Sequence, residues 1–177
     1  MDVKKVIEEF DQYLSKKDLK FEAVIIGGAA LNIMGVISRL TRDIDCLDPK
    51  IPTEILNASV EFSKENPSMH LMSKWINNGP ETLKNDLDKG WYSRIQTIFN
   101  GQAITFHTLG RIDLLKSKLF AYCDRDLDFN DCVLMKPTLE ELDSCYQWVS
   151  ERDMNPGWRK NVENHFKKIK TELGYGI

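Results

Sequence analysis

Asp43 and Asp45, separated by a single isoleucine, follow a Gly27-Gly28 pair by only a short stretch of chain, and residues of these types in this order can hold an anion through a divalent cation. Residues 23–26 are apolar and largely β-branched, which predicts a buried strand that ends at the glycines. Glycine tolerates positive φ. Without a Cβ it also lets a phosphate approach backbone N–H groups at the start of the helix expected over residues 29–34. Asp43, Ile44 and Asp45 alternate polar, apolar, polar, as on a strand with one buried face. Side chains two apart on such a strand share a face, with Cα atoms roughly 6.7 Å apart at about 3.3 to 3.4 Å rise per residue. Two carboxylates placed this way offer the hard oxygens that Mg²⁺ or Mn²⁺ takes, together with substrate phosphate. The expected chemistry is nucleotide handling with metal help: one ion orients a triphosphate and a second lowers the pKa of an attacking hydroxyl. Positioning and charge neutralisation then supply most of the catalysis.

The surrounding pattern predicts an α/β (α+β) fold: a small mixed sheet of about four or five strands flanked by helices, with a helical C-terminal part. Val3, Val6, Ile7, Phe10, Tyr13 and Leu14 recur at helical spacing. Strands are expected at 23–26 and 43–47. Arg94 to Phe99 and Gln102 to Phe106 flank an Asn100-Gly101 turn, a strong hairpin signal. Thr53 is expected to cap a helix that carries Ile55, Leu56, Val60 and Phe62 and ends at Asn66-Pro67. Residues 68–89 are polar and punctuated by proline and glycine, and read as a short helix and loop near the mouth of the site.

From Ile112 onward the pattern is helical. Ile112, Leu115, Leu119 and Tyr122 or Cys123 form an apolar stripe, and Lys118 and Arg125, seven apart, lie on nearly one face. Lys118 could meet phosphates as a point charge and Arg125 could clamp an anion. The plainer alternative is a solvated face with Arg125 paired to Asp128 or Asp131, two acids at an expected helix start. Thr138 and Glu141 have capping-box spacing. A last helix spans about 156–173 and stops at Gly174. The organisation expected is a core over 1–135 with a helical extension over 136–177.

At 177 residues and 42% hydrophobic content the chain can bury a conventional core, and its net charge of -3 provides no general attraction to nucleic acid. Cys46, Cys123, Cys132 and Cys145 show no paired spacing, so neither zinc nor a disulfide framework is expected and a reducing, cytoplasmic setting fits. No apolar run has the length of a signal or membrane segment. Arg159, Lys160, Lys167, Lys168 and Lys170 form a basic C-terminal face that reads first as a charged helix surface. Of the three histidines, His107 alone falls where site chemistry is expected. Trp91 and Tyr92 could stack a base, although core packing is the commoner use of such rings.

Gly27-Gly28-Ala29-Ala30-Leu31 with Thr41-Arg42-Asp43-Ile44-Asp45 resembles the signature of the DNA polymerase beta-type nucleotidyltransferase superfamily. Residues 113–121, followed by Asp124-Arg125-Asp126 and then Asp128 and Asp131, are similar to the C-terminal motif of its AbiEii/AbiGii-type branch, which includes toxins of bacterial toxin-antitoxin and abortive-infection systems. The resemblance covers roughly residues 21–135. It implies transfer of a nucleoside monophosphate from NTP, with Mg²⁺, onto an RNA (often tRNA) or protein acceptor, and an antitoxin partner. Carried over by residue, it implies Asp43, Asp45, Lys118 and Asp131 as catalytic, with Asp43 and Asp45 as metal ligands. Gly27, Gly28, Thr41 and Arg125 would bind nucleotide. The superfamily usually adds a third carboxylate from a neighbouring strand, and residues 103–108, the obvious position, contain no acid. Asp113, Asp128 and Asp131 stand open for that role, and so does a degenerate member that binds nucleotide or a partner without turnover.

Overall fold

The apolar residues at three- and four-residue spacing near the N-terminus are buried along one side of helix α1 (Val3–Lys16), which Asp2 caps by accepting from the Lys5 N–H. The structure, a computed structural model, describes residues 1–176. After α1 come β1 (Phe21–Ile26), α2 (Gly27–Ile33), β2 (Ile44–Asp48), α3 (Thr53–Glu65), β3 (Ile76–Asn77), β4 (Gln96–Asn100) and β5 (Ile104–Thr108). Four more helices follow, α4 (Arg111–Arg125), α5 (Phe129–Leu134), α6 (Leu139–Ser150) and α7 (Trp158–Glu172). The chain divides into two compact units, Met1–Gly110 and the helices from Arg111 on. The mixed sheet and flanking helices are those expected.

In the first unit the sheet order is β3-β2-β1-β5-β4. β1 runs antiparallel to β2 and parallel to β5, β2 runs parallel to β3, and β4 and β5 form the antiparallel hairpin. One face of the sheet is dry. Ala23, Ile25, Ile44, Cys46, Ile76, Ile104 and Phe106 join α1 and α3 in a single core whose centre is aromatic, with Phe10 stacked edge-on to Trp75 at 5.0 Å and close to Phe62 at 5.1 Å. Trp75 is almost fully buried and donates its indole N–H to the Ser59 carbonyl at 3.2 Å.

The other face is shaped by two irregularities. Val24 pairs with Asp48 and Ile25 with Cys46, so Leu47 is an extra residue in β2; Thr97 pairs with His107 and Phe99 with Phe106, so Ile98 is an extra residue in β4. A bulge re-aims the side chains that follow it. In strict alternation Asp48 would share the core face with Ile44 and Cys46; here it stands level with Val24, on the face that also carries Asp45, Glu22 and His107.

Several local expectations are corrected. Thr53 is the first residue of α3, its N-cap is Pro52, and no side chain caps that end. The strand expected at 43–47 begins at Ile44 and reaches Asp48. The hairpin connection is longer than a two-residue Asn-Gly turn because Asp11, buried on α1, accepts from the N–H groups of Gln102, Ala103 and Ile104 at 3.0, 2.9 and 2.7 Å. A Cβ on Gly101 would collide with that carboxylate. Residues 68–89 contribute β3 and a 3₁₀ turn, Glu81–Asn85, beside β2.

In the second unit α6 opens with the expected capping box between Thr138 and Glu141, and Glu141 also takes a two-point bond from Arg111 at 2.6 and 2.9 Å. Helix α4 carries more than an apolar stripe. Every residue from Asp113 to Leu119 is buried, Lys116 and Lys118 included.

Candidate active site

Strand β1 ends where Ile26 pairs with Asp45, and the chain turns at once into α2 through Gly27, at a φ of +76°. This left-handed conformation favours glycine. The vacant Cβ position has a second function. A Cβ there would stand 2.9 Å from Asp45 Oδ2, so the carboxylate lies against the bare Cα of Gly27. Gly28 is similarly hemmed in: its Cβ would sit 3.1 Å from Thr41 Cγ2 and 3.3 Å from a guanidinium nitrogen of Arg39. Ile26 at the N-cap of α2 supplies no side-chain bond to the first-turn N–H groups. The loop back to β2 is tied down by Asn32, which donates to the Arg39 carbonyl at 3.0 Å, and by Thr41, whose carbonyl accepts from the Met1 nitrogen at 2.8 Å. Thr41 is buried and its hydroxyl finds no hydrogen-bond partner among the described residues.

Asp45 has β1 on one side and β3 on the other. The β3 residue level with it is Asn77. Asn77 Oδ1 accepts from the Gly79 N–H at 2.6 Å, and a Cβ on Gly79 would lie 3.9 Å from Asp45 Oδ1. Asn78 fixes this segment to β2 by accepting from Ile51 N–H at 2.8 Å and donating to the carbonyls of Cys46 and Pro49 at 3.0 and 3.1 Å. Asp43, half-buried, immediately precedes β2. The donors at this corner are all hard oxygens, a set that suits Mg²⁺ or Mn²⁺. Among the described residues no three His, Cys, Asp or Glu side chains gather into a group that could hold an ion. A metal here would take its remaining ligands from substrate oxygen, Asn77 or solvent.

Residues 2–172 match the model of a family described as a nucleotidyltransferase of unknown function (DUF6036). The chain belongs to that family. No curated protein and no solved structure matches it. Family membership implies an NTP substrate. No helix among the described residues is long and apolar enough to cross a membrane.

The residues singled out in the sequence fall into two sets. Gly27, Gly28, Thr41, Asp43 and Asp45 lie in the first unit, and the structure draws four of them together: Gly27 meets Asp45, and Gly28 meets Thr41. Lys118, Arg125 and Asp131 lie in the second unit of the DUF6036 chain, where Lys118 pairs with Asp131 and shares Asp128 with Arg125. Lys118 Nζ reaches Asp128 Oδ1 at 2.9 Å and Asp131 Oδ2 at 2.7 Å, with all three side chains largely shielded from solvent; Arg125, at the exposed end of α4, reaches Asp128 at 3.3 Å. Arg125 is thus exposed and paired with Asp128, whereas Lys118 is buried and ion-paired. Burial without such partners would be prohibitive for an ammonium group.

Sequence reasoning passed over Arg39, Asn77, Asn78 and Gly79. The Asn-Asn-Gly-Pro run at 77–80 is a turn signal directly after apolar Trp75-Ile76, and that pairing could have marked a strand end. Nothing in the sequence marks Arg39. β5, whose residues 104–108 carry no acid, neighbours β1 and not β2; the neighbour of Asp45 offers the amide of Asn77.

Proposed function

We propose that this chain transfers a nucleoside monophosphate from NTP to a hydroxyl of an RNA, such as tRNA, or of a protein, in a Mg²⁺- or Mn²⁺-dependent reaction of the AbiEii/AbiGii toxin-like type. The observation that carries the reading is the Asp45 carboxylate held against the bare Cα of Gly27. Backbone N–H groups at Gly27 and Gly28 take phosphate oxygens, Arg39 adds positive charge beside Gly28, and Asp43 and Asp45 hold the metal. An ion held by Asp43 and Asp45 would offset the charge of the triphosphate and would lower the pKa of the acceptor hydroxyl. The acceptor oxygen forms a bond to the α-phosphorus, the bond to pyrophosphate breaks, and the hydroxyl proton leaves to solvent. Lys118 and Asp131 stay in the proposal as catalytic groups, and Arg125 and Thr41 as nucleotide contacts, on the strength of the sequence resemblance.

The test is transfer of label from each α-labelled NTP onto total RNA and total cell protein with Mg²⁺ or Mn²⁺. Label that disappears in Asp45→Asn and Asp43→Asn supports the reading; label that persists in both removes these carboxylates from the reaction. A second reading, nucleotide binding without turnover, is favoured by the amide of Asn77 where a neighbouring acid would complete a carboxylate cluster. It predicts NTP binding with no transfer from any of the four nucleotides. A toxin role predicts growth arrest on expression that Asp45→Asn relieves, and a co-encoded partner that suppresses it.

A further inference from the structure

A cleft of about 300 Å³ opens on the sheet face that carries Asp45, lined by Glu22, Val24, Asp48, Pro49, Tyr92 and His107 among others. Three features show that it is built. The extra residue Leu47 turns Asp48 out of the core face and towards this cleft, and the extra residue Ile98 sets Thr97 level with His107. His107 is then held from both ends, by Thr97 Oγ1 at 3.0 Å from Nδ1 and by Glu22 Oε1 at 3.0 Å from Nε2. A carboxylate only accepts, so Nε2 carries the proton shared with Glu22, while the Thr97 hydroxyl can donate to or accept from Nδ1. The Glu22 side chain, still 69% exposed, is thereby positioned with its second oxygen free to accept another bond. Tyr92 is 55% exposed and is set edge-on to Trp91 at 5.3 Å.

The chemistry of the lining selects a class of ligand. It contains two carboxylates and no lysine or arginine, and the nearby Lys84 is already bonded to Asp48 at 2.8 Å, so a phosphate would be repelled. An aromatic face beside an acceptor-only carboxylate suits a flat ring that presents N–H groups. Asp48 stands three residues along β2 from Asp45, about 10 Å by strand rise, and Glu22 stands five residues along β1 from Gly27, about 17 Å, the length of an extended nucleoside triphosphate. A nucleotide with its phosphates at Gly27 and its base in this cleft would span that interval. We infer that the cleft is the nucleobase pocket of the substrate NTP, with Tyr92 stacking on the base and Glu22, oriented by His107, accepting from its N–H edge. This rests on the nucleotidyltransferase reading above. Adenine, cytosine and guanine each carry an exocyclic amine; uracil offers two carbonyls around a single N–H and faces the Glu22 carboxylate with acceptors.

The experiment is equilibrium binding of ATP, CTP, GTP and UTP, with Mg²⁺, to the full chain and to Glu22→Gln and Tyr92→Ala, each checked for an unchanged melting curve. UTP is expected to bind about 10-fold or more weakly than the best of the other three, as loss of a hydrogen bond to a charged group implies. Glu22→Gln supplies an amide donor to a uracil carbonyl and is expected to close that gap chiefly by improving UTP. Tyr92→Ala is expected to weaken all four by about 5-fold or more, the loss of a stacking face. UTP as the tightest ligand of the wild type, or a ranking untouched by Glu22→Gln, overturns the pocket and leaves the transfer reading standing. Failure of all four to bind overturns both.

Discussion

Asp45 Oδ2 occupies the space beside Gly27 that any other residue would fill with its own Cβ, at 2.9 Å from that position, while Gly27 holds a φ of +76°. Two demands therefore fall on one residue, one of conformation and one of room. Gly27→Ala should lower stability by about 1–2 kcal/mol through the left-handed backbone alone. Its larger effect should be to displace the Asp45 carboxylate. NTP affinity should fall out of proportion to the shift in melting temperature, and parallel melts and titrations check this.

Asp45→Asn keeps the shape of the side chain and removes its charge. Transfer should drop by ~100-fold or more while the fold is retained, the scale seen when a preorganised charge-stabilising group is lost. EDTA should reproduce the loss in the wild type, and excess Mg²⁺ should restore activity there better than in the variant. Initial rates across a Mg²⁺ titration make the comparison.

Lys118 joins Asp128 and Asp131 in a shielded cluster at 2.9 and 2.7 Å. Lys118→Met leaves two buried carboxylates facing each other and should cost about 3–5 kcal/mol. Adding Asp128→Asn and Asp131→Asn to that background should recover part of the loss, because the uncompensated charge is then gone. Urea denaturation of the single and triple variants measures it.

Asp11 satisfies three consecutive backbone N–H groups at the hairpin connection. Asp11→Ala should destabilise the chain by about 2–4 kcal/mol, since the donors are left in a largely buried place. Gly101→Ala should be comparably harmful, because its Cβ would meet the Asp11 carboxylate, and Gly101→Ala with Asp11→Ala together should be less harmful than the sum. Differences in denaturation midpoint supply this cycle.

All four cysteines are free and buried, and burial pushes every thiol above the ordinary value of 9.0, Cys145 to about 11 and Cys123 to about 12, with Cys46 and Cys132 shifted in the same direction. A raised folded-state value means that stability is complete below the ordinary thiol range and is lost as pH rises, because the unfolded chain ionises first. Between about pH 9 and 11 the loss should approach roughly 1 kcal/mol per thiol per pH unit, and Cys145→Ala should flatten the slope. Chemical denaturation across that window tests the sign.

Where a feature is written in local pattern, the sequence shows it. The periodic apolar residues of α1, the Asn100-Gly101 hairpin, the Thr138 to Glu141 capping box and the glycine-to-aspartate spacing are all local, and all appear in the fold. What stayed hidden depends on residues distant in the chain. β3 is two residues long and exists because Trp75 is held in the core and Asn78 bonds three points on or near β2. The bulges at Leu47 and Ile98 leave no compositional mark, yet they decide which way Asp48 and Thr97 face. Asp11 and Lys118 look like members of solvated helix faces until their partners arrive from elsewhere.

The three bonds accepted by Asp11 join residues 91 to 93 positions apart. During folding α2 and α3 are already present to cover the apolar side of α1, but the Asp11 carboxylate keeps its bonds in abeyance until the distant connection arrives. Closure of such a distant pair carries a large loop entropy and tends to come late. The hairpin connection should therefore be among the later parts of the first unit to gain protection from hydrogen exchange during refolding.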